Sequence, residues 1–302
     1  MPPPAKTRVM AKLKPWTTPL LALAVCFALL LSWGNFAVSD GAVALTNTAN
    51  SAKSCQAKLE LSRDKVYGEL YQMPSALSIL SWNIYKAKND DLLQDLTALS
   101  EGVDIVLLQE ALEDERLEAL KPYWRFAPGY QAGSVQTGVM TLSRWPAAVH
   151  CQFAYNEPWL KTPKATNVVE YALQNGERLL AINVHAINFT LGVKAYREQL
   201  DSAVALMREH KGPIVFAGDL NSWSKSRRKT LTQLLEPLGL VPTEFLEDNR
   251  RRAFGRALDY VWLRGVEIGA IEVPVHKSSD HNPLLVSLRV TERGANKKTQ
   301  QQ

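Results

Sequence analysis

The stretch Val215-Phe216-Ala217-Gly218-Asp219-Leu220-Asn221-Ser222-Trp223 decides how this chain reads. An apolar run with the character of a buried strand stops at Gly218, and Asp219 and Asn221 then leave its end on the same side. An unpaired carboxylate at the edge of a core is costly, so a cation, a ring of donors or a ligand must offset it. Further polar sites elsewhere in the chain share the habit of following or opening an apolar strand. They are Asn83 after ILSW, Glu110 after VLLQ, His185 after AINV, Asp259 ahead of YVWL, and Asp280-His281 ahead of NPLLVSL. Any one of these is ordinarily a satisfied structural group. Together they describe a divalent-cation site with acid-base groups around it, because ligands of sheet-rich α/β folds collect outside strand ends.

Working outward, Leu77 to Trp82 and Asp104 to Leu108 read as buried strands, with a helix at Asp91 to Leu99 between them and a charged helix from Glu113 to Leu120 after them. Gly138–Leu142, Val149–Tyr155, Val168–Leu173 and Arg178–Val184 read as strands, and Asn175-Gly176 as a type I′ hairpin turn. A helix over Lys194 to Glu209 precedes the deciding strand, a basic helix over Ser226 to Leu235 follows it, and strands over Leu258–Leu263, Glu267–Val275 and Leu284–Leu288 close the chain. This order predicts an α/β domain over residues 75–290 with mixed strands in two layers of sheet. Residues 45–74 read as a linker that gains order near Leu59 to Leu70, and 291–302 as a disordered tail.

A chain of 302 residues, 46% of them apolar, has material for one large core. The net charge is +5, but residues 1–44 hold a surplus of three and leave +2 for the rest, so global charge does not argue for nucleic acid. Lys6, Arg8, Lys12 and Lys14 followed by the unbroken apolar run Leu20 to Leu31 read as a signal peptide or an N-terminal membrane anchor over 1–44. The positive flank keeps the N-terminus in the cytosol and sends the remainder out, to the periplasm or medium. The competing reading is a buried N-terminal helix of a cytoplasmic protein. Beyond that segment only Cys55 and Cys151 remain, either as a disulfide or as two separate thiols.

LSWNIYK, LLQE, NVHAIN, GDLNSWS, LDYVW and SDHNPLL occur in the order of the endonuclease/exonuclease/phosphatase superfamily, and from Leu77 to Leu288 the chain resembles it. Deoxyribonuclease I, abasic-site endonucleases and neutral sphingomyelinases belong there; the chain looks most like the bacterial YafD-type members. The resemblance implies a four-layer sandwich of two mixed β-sheets flanked by helices. It also implies Mg²⁺, with Mn²⁺ as a substitute, held by Glu110 as main ligand, Asn83 as a neutral oxygen ligand or brace, and Asp280. Asp219 would position or deprotonate the attacking water, and Asn221 would align it or hold a phosphate oxygen. Asp259 would orient His281 toward the scissile phosphate, and His185 would stabilise the transition-state charge or protonate the leaving oxygen. The acidic partner that holds the first histidine in deoxyribonuclease I has no counterpart before Arg144.

Lys86, Arg197 and Arg256 are candidates to bind substrate phosphate. The runs Lys225 to Lys229 and Arg250 to Arg256 are either solvated faces or cationic walls of the site. Trp159 and Trp223 fill core, stack on a base or lie at a lipid interface. The expected protein is a monomeric metal-dependent phosphoesterase acting on a phosphodiester, of nucleic acid or phospholipid. A phosphomonoesterase for a sugar or inositol phosphate, and a non-catalytic phosphate-binding module, are the competing readings.

Overall fold

Strands that are apolar on both faces need cover on both sides, and that requirement organises the molecule. The computed structural model describes residues 51–291. Helix α1 (Ala52–Arg63) leads to strand β1 (Ala76–Asn83), helix α2 (Leu92–Ser100) and strand β2 (Ile105–Leu112). A single turn, α3 (Glu115–Glu118), precedes β3 (Tyr123–Ala132), β4 (Val135–Ser143), β5 (Val149–Asn156), β6 (Pro163–Ala172) and β7 (Arg178–His185). Helix α4 (Lys194–Glu209), β8 (Ile214–Asp219), α5 (Lys225–Leu235) and the short β9 (Val241–Pro242) follow. The small hairpin β10 (Arg252–Ala253) and β11 (Arg256–Ala257), then β12 (Asp259–Arg264), β13 (Val266–Glu272) and β14 (Leu284–Val290), complete the order.

Two mixed sheets of six strands result, ordered β13-β14-β1-β2-β4-β3 and β5-β6-β7-β8-β12-β9. Each holds one parallel pair at its centre, β1 with β2 and β7 with β8, joined by a helical crossover over α2 and α4 respectively. Alternation sorts the side chains. Ile79, Ile105, Leu107, Val286 and Leu288 of the first sheet meet Val169, Ala181, Val215, Ala217 and Val261 of the second. Leu80, Val106 and Leu108 face the opposite way, onto Leu92, Leu96 and Leu117 of α2 and α3. Ile182 and Phe216 face Leu59 of α1, Tyr196 and Leu200 of α4, and Leu231 of α5. The expected helix–sheet–sheet–helix sandwich is therefore the observed one. Behind the deciding strand Gly218 has φ 139°, and a Cβ there would lie 2.0 Å from the Val184 carbonyl oxygen, so only glycine lets β8 approach β7.

Several local expectations are corrected. The described part of the supposed linker is integral structure: Ser51 caps α1 by accepting a hydrogen bond from Ser54 N, Cys55 and Leu59 are core, and Met73 pairs with Leu173. The charged helix shrinks to one turn, because only Leu117 of that segment finds core. The β6–β7 hairpin forms, but positive φ falls on Gly176 and not on Asn175, so the turn is not type I′. Strand β3 and the β10–β11 hairpin were not anticipated. Residues 1–50, with the expected export segment, and 292–302, with all but the first residue of the expected tail, lie outside the described residues. Among the described residues no helix is long and apolar enough to cross a membrane.

The two cysteines are joined, Cys55 of α1 to Cys151 of β5, with Cα atoms 5.8 Å apart across a separation of 96 residues. Closing so long a loop restricts the unfolded chain. Replacing both by Ser is expected to lower the unfolding free energy by about 2 to 4 kcal/mol in urea titrations. An unchanged midpoint would mean that α1 is held by its packing alone.

Candidate active site

The parallel strand pairs set the place of the site. Asn83 closes β1, Glu110 lies in β2, His185 closes β7 and Asp219 closes β8, so both crossovers deliver their polar residues to one end of the sandwich. Asp259 opens β12 directly opposite Asp219 in register, and His281 precedes β14, which runs antiparallel to β1. Glu110 arrives by a bulge: the pairing of β2 with β4 slips between Gln109 and Ala111, and Glu110 takes φ 51°. A bulge re-aims a side chain, and positive φ in a non-glycine residue is strain that surrounding structure must hold, of order 1 kcal/mol. Just behind it Gln109 Nε2 donates to Asn183 Oδ1 at 2.8 Å, while Asn183 Nδ2 donates to the Leu108 and Met140 carbonyls, pinning the two sheets together in the core.

Asp219 is the hub. Its Oδ2 accepts from Asn83 Nδ2 at 3.1 Å and lies 3.7 Å from His185 Nε2; its Oδ1 accepts from the Asn221 backbone N–H at 3.0 Å. Glu110 Oε1 is 3.9 Å from the same His185 nitrogen, and Lys86 Nζ is 3.3 Å from Glu110 Oε2. His281 Nδ1 donates to Asp259, whose two oxygens lie at 2.9 and 2.8 Å, which leaves Nε2 as the reactive edge of the ring. The Trp82 indole N–H holds the His281 carbonyl at 2.8 Å.

These contacts drive the two imidazoles apart. Burial works against a charge on His281, but Asp259, by its charge and its hydrogen bond, overcomes that and holds the ring at about 10. His185 goes the other way: burial first, then the cations Lys164, His281 and Lys86, push it well below the ordinary histidine value. Lys164 Nζ donates to its Nε2 at 3.0 Å, a contact that only the neutral ring accepts. Asp219 is raised above the usual carboxylate range, by burial and then by Asp259, with His281 opposing. A poised carboxylate beside one charged and one neutral imidazole is an arrangement suited to moving a proton.

Of the residues expected from sequence, Asn83, Lys86, Glu110, His185, Asp219, Asp259 and His281 converge. Asn221 adjoins them, but its Nδ2 is committed to the Ala186 carbonyl at 2.9 Å, so that group braces the loop after His185. The other three stand apart from this group. Asp280 is exposed and stands outside the buried cluster; it acts on His281 only through its charge. Arg197 is exposed on α4 and pairs with Asp201 at 3.8 Å, one turn on. Arg256 donates to the Phe254 and Trp223 carbonyls and so stiffens the β10–β11 hairpin.

Two residues escaped the sequence reading. Lys164 lies against His185 Nε2, the nitrogen that also faces Asp219 and Glu110; its only signal in the sequence is its place at the start of β6. Arg227 sits in a basic run yet is buried, its guanidinium stacked on Tyr196 and Trp223 at 4.7 and 4.6 Å. It donates to the carbonyls of Ile187 at 2.7 Å, Asn188 at 2.6 Å and Asn221 at 2.9 Å, tying the loop after His185 to the loop after Asp219.

Asp219, Asp259 and His281 offer ligand atoms all within 4.8 Å of one another, a buried group able to hold a metal ion. His281, however, carries its proton toward Asp259 and is cationic at neutral pH, which disfavours it as a ligand. Glu110 is the better donor: its Oε2 is buried and accepts no hydrogen bond, meeting only the Lys86 ammonium at 3.3 Å. With Asn83 it offers oxygens, the donor type that hard divalent cations take.

Residues 80–281 match the family described as "Endonuclease/Exonuclease/phosphatase family". "UPF0294 protein VV1_1880" of Vibrio vulnificus (strain CMCP6) is 38% identical over 221 residues, 70% of this chain and 76% of that relative. A solved endonuclease/exonuclease/phosphatase from Beutenbergia cavernae DSM 12333 superposes with TM-score 0.54 at 18% identity, over 72% of each chain. The mannosyl-6-phosphatase Bt3783 of Bacteroides thetaiotaomicron VPI-5482 does so with TM-score 0.51 at 13% identity, over 70% of this chain and 99% of its own. At such identities the two structures speak for the fold.

Proposed function

This chain belongs to the endonuclease/exonuclease/phosphatase family, and from that premise we propose that it is a divalent-metal-dependent phosphodiesterase in which Asp219 activates the attacking water. The family makes it a hydrolase of phosphoester bonds. The observation that carries the finer reading is the convergence on buried Asp219 of Asn83, His185 and, through Asp259 opposite it in register, His281.

Glu110 and Asn83 would hold the cation, Mg²⁺ with Mn²⁺ as a substitute, which leaves Asp219 free to take a proton. Bound there, it supplies Lewis-acid stabilisation of charge on a phosphoryl oxygen. The chain's own groups do the rest. Asp219 takes the proton of the water that attacks phosphorus, its raised affinity making it a stronger base than an ordinary carboxylate. Protonated His281, held by Asp259, donates from Nε2 to a non-bridging oxygen as negative charge builds there. Lys86 and Lys164 offer fixed positive charge to the phosphate. Lys164, its ammonium held by Nε2 of the neutral His185 ring at 3.0 Å, donates a hydrogen bond to the leaving oxygen as charge builds there, and His185 positions it.

The disulfide and the basic-then-apolar N-terminal sequence support a location outside the cytoplasm, where cystines persist. A panel of DNA, RNA, sphingomyelin, phosphoinositides and a sugar monophosphate, each with Mg²⁺ and with EDTA, tests the reading. Metal-dependent cleavage of a diester is the expected result; cleavage of monoesters alone, or none at all, contradicts it. Lys164→Met is expected to lower kcat/KM about 10- to 100-fold, the worth of a hydrogen bond to a charged group. A change in KM with kcat intact would place Lys164 in binding only.

A further inference from the structure

Four loops at the catalytic end of the second sheet are tied to one another and carry exposed apolar side chains. Glu157 Oε1 accepts from the Asn188 and Phe189 backbone N–H groups at 2.7 and 3.2 Å, joining the β5–β6 loop to the loop after His185. Trp223 Nε1 donates to Asn188 Oδ1 at 2.9 Å, and the Trp223 ring tilts against Phe254 at 5.8 Å, bringing in the loop after Asp219 and the β10–β11 hairpin. On this rim of loops Trp159, Leu160, Phe189, Leu191 and Phe254 stand in solvent, Leu191 at 78% and Phe254 at 80% exposure. Phe254 is the sharpest case. It occupies the tip of a two-residue turn with φ 50° beside Gly255 at φ 74°, a position that favours Asn or Gly and penalises a bulky ring. The Trp223 ring touches one side of Phe254, and the rest of the side chain stands in solvent, where the turn geometry gives no reason for an aromatic.

Exposed Lys161, Lys194 and Lys225 follow Leu160, Leu191 and Trp223 within three residues along the chain. Apolar tips among flexible cations match the boundary of an anionic bilayer, where apolar groups enter the acyl edge and ammonium groups meet phosphate. A single-stranded nucleic acid would stack on Trp159, Phe189 and Phe254 but gives the equally exposed aliphatic Leu160 and Leu191 nothing to bury against, which a lipid surface does. The sequence ahead of the domain, basic residues and then Leu20 to Leu31, has the pattern of a segment that brings the chain to a membrane, whether as a cleaved signal or a retained anchor. We propose that this rim docks on an anionic phospholipid surface, so that the cleft opens onto lipid headgroups. The choice of a headgroup phosphodiester as substrate rests on the phosphodiesterase reading; the docking itself does not need turnover.

The test uses the full chain with Cys26→Ser and Leu191→Cys, the native disulfide intact, and an environment-sensitive NBD label on residue 191. On vesicles of phosphatidylethanolamine with phosphatidylglycerol its emission is expected to shift to the blue and rise about two-fold or more, less so on phosphatidylcholine, with quenching by doxyl lipid. Adding Leu160→Ser and Phe254→Asn should remove most of that response while leaving hydrolysis of a soluble diester within about two-fold of the parent. Emission unchanged by vesicles overturns the proposal, and emission that answers to single-stranded DNA instead assigns the rim to nucleic acid. Loss of soluble-diester turnover in the parent would count against the catalytic reading alone.

Discussion

Asp219→Asn is expected to abolish turnover and leave the fold as stable as before or more so. The carboxylate is buried at the end of β8 and raised above its usual range, which means that its ionised form is less favourable in the folded protein than in the unfolded chain. The sign follows from linkage. Above the folded value Asp219 is charged in both states and its desolvation weighs on the folded state; as pH falls toward the ordinary carboxylate range that penalty is relieved. An amide carries no such penalty; its oxygen can still accept from the Asn221 backbone N–H, and its NH2 group meets the Asn83 side chain, which must turn its own oxygen toward it. It has no lone pair basic enough to take a proton from water, so the rate should fall about 10²- to 10⁴-fold, the worth of a positioned base. Thermal unfolding beside rates on an activated diester checks both halves. A variant that loses rate and stability together would make Asp219 a structural residue.

Arg227→Met should cost both rate and stability, for the opposite reason. The guanidinium is buried and burial lowers its pKa, yet Asn188, Ile187 and Asn221 all turn carbonyl oxygens toward it. Removing it leaves those oxygens without their donor. The fold is expected to lose about 3 to 5 kcal/mol, the scale for breaking a buried charged network. The loops that follow His185 and Asp219 would lose their common tie, so the rate should drop at least about 10-fold, since small misplacements of reacting groups are costly. Arg227→Lys keeps the charge but not the planar fork and should fall between the two. Denaturant melts and steady-state rates on the same three proteins decide the matter; wild-type rates in the Met variant would detach Arg227 from the site.

What the sequence made legible follows a physical pattern. Asn83, Glu110, His185 and Asp219 stand out because each interrupts an apolar run that burial on both faces demands, and a polar residue there needs a reason. The helix over Lys194 to Glu209 was readable to the residue, since its apolar spacing and the Lys-Gly-Pro break agree. Lys164 was not readable: a lysine at the start of a strand looks like any solvated one until β6 lies beside β7. Arg227 hid in a basic run whose other members are indeed exposed, because composition does not show which turn of a helix faces inward. Helix α1 was hidden by its polar surface, with Cys55 and Leu59 alone marking the buried side. Asp280 and Arg197 were plausible by proximity in sequence, and the fold turned both outward. The matching of one central parallel pair per sheet was invisible too, because the two halves share topology without sharing residues.

The most direct test of a single hydrolytic centre is the hydrolysis of bis(p-nitrophenyl) phosphate by the full chain, with Mg²⁺ and after EDTA, beside Asp219→Asn and His281→Ala. Turnover that needs the metal and disappears in both variants, with their folds intact, is the predicted result. Turnover that survives EDTA, or persists in either variant, would contradict it.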